Sequence, residues 1–197
     1  MSIRRPRTPR PALRHLAFVE ALVAHPPDSA SGREALAGLL TLRLVDHWVA
    51  RGGGVCAPGA TVLAATRDAI AALPSASPWR APLDLIVSTL VALPGPDVQP
   101  VVPALGALGT LLQSEDRFAM AADVHRTVTR LADPRVHLAL AFESQMQLGA
   151  CLLALDDVRW ADAAFAQAGV LATRSREAAW TARVAAAQAA LPLPVEA

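Results

Sequence analysis

Apolar residues recur along this chain at helical spacing, and no segment shows the alternation of an exposed strand. A first helix is expected from about Ala12 to Ala24, where His25-Pro26-Pro27 stops it. Ser31, or Ser29 before it, suits the N-cap of a long helix through Arg51. Between Leu36 and Val49 its apolar positions cover more than one face, as on a helix buried between neighbours. Gly52-Gly53-Gly54 ends it. Thr61 to Leu73 predicts a third helix closed by Pro74, and Pro82 suits the first turn of a fourth that stops near Pro94-Gly95-Pro96. From Val98 the helices come in pairs, 98–113 with 116–132 and 135–155 with 158–173, before a last helix over about 175–191. The pattern predicts an all-α chain of about nine helices with short connections.

Three regions follow. Residues 1–11 hold Arg4, Arg5, Arg7 and Arg10 among three prolines and offer nothing for a core, so they are expected to be a disordered tail. Residues 12–97 form an N-terminal helical region, either degenerate repeats or a cap, and 98–191 hold the helical pairs and the terminal helix.

Composition changes this picture little. Of 197 residues, 53% are hydrophobic, the excess being mostly alanine, which favours helix and close helix contacts. All 18 basic Lys+Arg residues are arginine and there is no tyrosine, the usage of a GC-rich genome. A formal net charge of +1 argues neither for nor against a polyanionic partner. Cys56 and Cys151 lie far apart without ligand-like neighbours and read as free thiols in a reducing compartment. The apolar stretch Leu16 to Ala24 is short and holds Glu20, so it makes a poor secretory signal. Val98 to Gln113 contains Pro100 and Pro103, and His137 to Leu155 carries Glu143, Gln145 and Gln147. Both read as buried helices rather than membrane spans. The expectation is a cytoplasmic protein with no cofactor and no membrane contact.

Two stretches share one spacing. Leu108-Gly109 is followed by Leu112, Phe118 and Ala121; forty residues on, Leu148-Gly149 is followed by Leu152, Ala161, Phe165 and Ala168. Polar turns separate the halves, Ser114-Glu115-Asp116 and Asp156-Asp157, the latter offering Asp157 as an N-cap. Glycine inside a helix costs about 1 kcal/mol against alanine, so Gly109 and Gly149 need a packing reason. Ala121 and Ala161 are expected to supply it, small facing small where helices cross. On that basis Gly149→Leu overpacks the crossing by roughly 1–3 kcal/mol.

Over about residues 100–175 this pattern resembles the tetratricopeptide repeat, whose helix A carries an apolar-small pair and a bulky residue, and whose helix B carries alanine, an aromatic and alanine. The second copy matches at every one of these positions. In the first, His125 replaces the helix B aromatic and Val128 the small residue, while Leu105 and Gln145 stand where helix A begins with a large aromatic. The period of forty exceeds the family's usual thirty-four. The resemblance implies a right-handed α-α superhelix, a solenoid that offers a surface to a partner. Its inner face would present Thr110, Gln113, Ser114, Glu143, Met146, Gln147 and Ala150, without the basic and amide cluster that clamps a C-terminal carboxylate.

The last helix carries an apolar stripe, Trp180, Val184, Ala187 and Leu191, that either caps the preceding pair or stays open for self-association. The arginine tail lacks interleaved aromatics and the rest of the chain has a slight acidic excess, which disfavours nucleic acid. The five histidines are scattered, and Asp133 and His137, though spaced i,i+4, have no third metal ligand in sequence. Asp46-His47 neighbours do not share a helix face. The reading is a non-enzymatic scaffold that binds another protein or peptide through the groove or the Trp180–Val184 face. A self-associating module, forming a homo-oligomer through the last helix, and an enzyme with a pocket among the N-terminal helices are the alternatives.

Overall fold

The computed structural model describes residues 15–51 and 57–192. Among them are nine α-helices, one short 3-10 turn and no strand: α1 (Leu16–Ala24), α2 (Ala30–Arg51), α3 (Ala57–Ala71), α4 (Arg80–Ala92), α5 (Val102–Ser114), α6 (Phe118–Leu131), α7 (Leu138–Ala154), α8 (Val158–Ser175) and α9 (Ala178–Ala189). The expected tail and Cys56 lie outside the described residues.

The sequence boundaries hold to a few residues, and the shifts have local causes. Ser29, not Ser31, caps α2, its Oγ accepting from the Gly32 N–H at 3.0 Å. α5 begins at Val102 because Val98 to Val101 wind into the 3-10 turn around Pro100. α3 begins four residues before the expected Thr61. No helix among the described residues is long and apolar enough to cross a membrane.

One hydrophobic core runs from Phe18 through Trp79, Leu105 and Phe142 to Val184. α2 is the centre of the N-terminal part, packed by α1, α3 and α4, while α5 to α9 stack each on the next and α1 reaches across to α6. Polar contacts fasten the two parts. Asp123 on α6 accepts the Ala17 N–H at 3.0 Å, occupying one of the open donors at the start of α1. Glu34 accepts from Arg117 at 2.9 Å and from Ser77 at 3.1 Å, and the Arg117 guanidinium lies over the Trp79 ring. Trp79, fully buried, donates its indole N–H to Glu115 at 2.8 Å, so its polar end is satisfied.

The forty-residue period is a repeat of geometry as well as of residue type. Asp116 and Asp156 both take the left-handed conformation, with φ of 58° and 61°. The next N–H, of Arg117 and of Asp157, returns to the Leu112 and Leu152 carbonyls, each at 2.9 Å. Asp116 N–H also reaches the Gln113 carbonyl, and Asp156 N–H that of Leu153. This pair of bonds satisfies the last carbonyls of α5 and α7 and turns the chain back into α6 and α8.

The packing reason for the glycines differs from the one expected. A methyl carbon placed on Gly149 would stand 2.4 Å from Cε1 of Phe165, and one on Gly109 would stand 2.7 Å from Cε1 of His125. Each glycine is therefore a notch for a ring on the partner helix, not a small residue facing Ala121 or Ala161. Those alanines are fully buried, but the close approach is glycine to ring. The α1–α2 pair uses the same device in reverse order, with Gly38 receiving Phe18.

Candidate functional site

The terminal stripe expected to be either a cap or an open face is turned inward. Trp180 stacks on Phe142 of α7 with ring centroids 4.2 Å apart and planes 11° from parallel. Val184 is buried. Arg183 places its guanidinium over the Phe142 ring and donates to both carboxylate oxygens of Glu143, one at 2.8 Å. That two-pronged bond raises the Arg183 pKa above its ordinary value. Glu143 is thus part of the α7–α9 seam.

The other inner-face residues are less engaged. Thr110 and Ser114 are exposed and return their hydroxyls to carbonyls of their own helix, those of Gly106 and Leu111. Gln113, Met146, Gln147 and Ala150 are half-buried. These side chains do not converge on any described cavity.

A cavity opens instead on the other side of α7. It has a volume of about 440 Å³ and lies between α6, α7 and α8, lined by Arg126, Gln145, Leu148, Leu152, Asp157, Trp160, Ala163, Ala164 and Gln167. A second hollow of about 220 Å³ shares Gln145 and Gln167 and continues toward Thr129, Leu171 and Arg174. The two hollows adjoin at Gln145 and Gln167 and form a cleft lined by residues of α6, α7 and α8.

Local sequence explains the wall. Asp157 caps α8 by accepting the Trp160 N–H. With Ala161, Phe165 and Ala168 turned into the core, the adjoining stripe of Trp160, Ala164, Gln167 and Arg174 faces the cleft. Trp160 is 61% exposed, whereas Trp48 and Trp79 are buried. In sequence this stripe is hidden, because its spacing lies one position from that of the core face.

Two sets of the scattered ionisable groups are held by structural contacts. Asp46 faces His15, at 3.1 Å, and Arg130, bridging α2 to α1 and α6. Burial alone would raise its pKa, but the His15 hydrogen bond and the Arg130 charge outweigh it and hold the carboxyl well below the usual range. Asp133 and His137 both meet Gln99, which binds the Asp133 N–H at 2.8 Å and offers its carbonyl to His137 Nε2 at 3.0 Å. That hub fixes the α6–α7 loop. No group of three His, Cys, Asp or Glu among the described residues is placed to hold a metal ion.

His125 is 1% exposed, neither ring nitrogen has a partner, and burial lowers its pKa to about 4. Cys151, also buried, has its thiol pushed up to about 11 by desolvation. Neither group reaches the cleft. The cleft presents apolar area together with two amides, two arginines and the Asp157 carboxylate. No family model, curated protein or solved structure matches the chain.

Proposed function

We propose that this chain is a cytoplasmic protein–protein interaction scaffold, a tetratricopeptide-like stack of helical pairs coiled as a right-handed superhelix. The observation that carries the reading is Trp160, a large aromatic held mostly in solvent at the mouth of an apolar cleft. Tryptophan is enriched among residues that dominate binding energy, and this one stands beside a hollow floored by Leu148 and Leu152, which supports a contact surface there. The repeated turns and glycine notches support the same reading, because a rigid stack presents such a surface with little order lost on association. The binding surface moves from the A-helix groove to the opposite side of α7, since Glu143, Trp180 and Val184 are engaged within the fold.

Affinity capture from the native host's lysate tests it, comparing wild type with Trp160→Asp and Met146→Glu. The expected result is a protein held by wild type and by Met146→Glu but lost from Trp160→Asp. Recovery of nothing beyond the chain itself would overturn the scaffold reading.

A further inference from the structure

We infer that the exposed stripe of α8 pairs antiparallel with the same stripe of a second copy of this chain. The inference rests on the scaffold reading in taking Trp160 as the contact residue, and it names what covers that residue while no other protein is bound.

Spacing is the first observation. Trp160, Gln167 and Arg174 stand seven residues apart, and Ala163 and Val170 fall between them at the same interval. That is the a and d pattern of a coiled-coil seam, sustained over two heptads. Trp160 and Val170 are 61% and 55% exposed, and Ala163, Gln167 and Arg174 are exposed as well. The core face of α8, which includes Ala161, Phe165 and Ala168, lies beside this stripe and is buried. The helix therefore carries two seams, one packed within the fold and one facing out. The stripe on α9 is not this surface, since Trp180 is stacked on Phe142.

The residues at the outward seam identify its occupant. In an antiparallel pair the a positions of one helix meet the d positions of the other. Centred between Ala163 and Gln167, such a pair sets Trp160 against Val170 of the second copy, and Val170 against its Trp160. Ala163 meets Gln167, small against larger, so the helices can lie close. At each end Arg174 comes opposite Asp156, an exposed carboxylate in the turn before α8. Arg159, at the edge of the stripe, comes opposite Thr173, so no like charges meet along the seam. Apolar residues match in the middle and opposite charges match at the ends, which is the self-complementarity a twofold interface demands. A parallel pair would instead set Arg174 against Arg174, and like charges across an interface disfavour it.

From Trp160 to Arg174 the seam runs roughly 21 Å at 1.5 Å per residue. So short an interface makes a weak dimer, with a dissociation constant on the order of tens of micromolar.

The test is sedimentation velocity on the full chain between about 1 and 500 μM. A dimer is expected in the upper part of that range. Trp160→Asp should weaken it by about tenfold or more. That variant keeps α8 intact, because an acidic residue in the first turn favours a helix N-terminus. Asp156→Arg and Arg174→Asp should each weaken it by about fivefold, since each sets like charges at both ends. Mixed in equal amounts, these two variants should associate as tightly as wild type, because opposite charges then meet again at both ends. Asp156→Arg is compatible with the turn: Arg176 already holds the same left-handed conformation, with φ of 61° at both positions.

A chain that stays monomeric throughout overturns the inference, and so does a dimer that Trp160→Asp leaves unchanged. A mixture no tighter than its two components overturns the antiparallel pairing. Each of these results leaves capture of another protein untouched, so the scaffold reading stands or falls on the lysate experiment alone.

Discussion

The pair α5–α6 and the pair α7–α8 are built on one plan and finished with different chemistry. Their turns are superposable in hydrogen-bond pattern, each with a left-handed aspartate and a carbonyl of Leu112 or Leu152 accepting from five residues on. Their helices meet at a glycine that admits a ring. Yet the ring is His125 in the first pair and Phe165 in the second, and Leu105 in the first answers to Gln145 in the second. The backbone arrangement therefore depends on the shape of the ring and not on its polarity. Polarity at these two positions decides other things: how firmly the pair is held, and whether the seam beside it closes over.

The largest expected effect comes from filling a notch. A single methyl carbon on Gly149 would already stand 2.4 Å from the Phe165 ring, so Gly149→Leu has no room for its remaining carbons. Overpacking of this kind costs typically 1–3 kcal/mol and occasionally more, and the top of that range is expected here. For a chain of this size about 3 kcal/mol lowers the melting temperature by roughly 6–12 °C. Circular dichroism melts check it, and an unchanged midpoint would show that the notch is not tight. Gly109→Leu should cost somewhat less, since its partner ring stands 2.7 Å away.

The next effect separates the pairs. His125 has a folded-state pKa of about 4 against an ordinary 6.5, so the unfolded chain binds more protons between those values. Stability should be unaffected by this group above about pH 6.5, fall as pH drops through that window, and level off below about pH 4. The full loss is on the order of 3 kcal/mol. In His125→Phe that step should vanish from denaturant midpoints measured across pH. At neutral pH the variant should gain about 1 kcal/mol by removing two unpartnered buried nitrogens. A pH profile identical to wild type would mean that protonation of this ring is not coupled to folding.

How much of this was legible in sequence follows from the range of each interaction. The helices and their turns were readable because capping residues, prolines and periodicity act within a few positions: Asp157 as a cap and the stop before Pro94 are examples. The glycines are legible as packing features, but the rings they receive are not. Ala161 and Phe165 lie on neighbouring turns of one face, and spacing alone does not say which is nearer to Gly149. The cleft was not readable. It depends on Gln145 remaining half-buried between α6 and α8, which is a matter of three helices meeting. The N-terminal contacts of Glu34 with Arg117 and of Asp123 with the Ala17 N–H span 83 and 106 residues, and no local pattern announces them.

A smaller effect should be equal in the two pairs. Asp116 and Asp156 pay a modest conformational cost for positive φ that glycine avoids. Asp116→Gly and Asp156→Gly should each raise stability by up to about 1 kcal/mol, the gain being offset in part by the greater freedom of glycine in the unfolded chain. Unequal responses in urea titrations would show that one turn is held by contacts the other lacks.

The smallest expected change in stability comes from Gln145→Trp, and it ties the comparison to function. Gln145 borders open space, so a larger ring there can lie along Leu148 and Leu152 without the overpacking that Gly149→Leu suffers. The melting temperature should move by no more than about 1–3 °C, the equivalent of less than 1 kcal/mol. The seam of the second pair would then be filled, as Leu105 fills that of the first. Capture of a partner should fall with it, because the indole occupies the hollow beside Trp160. A large drop in stability would mean that the space is needed by the fold itself. Undiminished capture would mean that Gln145 marks a gap between helices and not a place of binding.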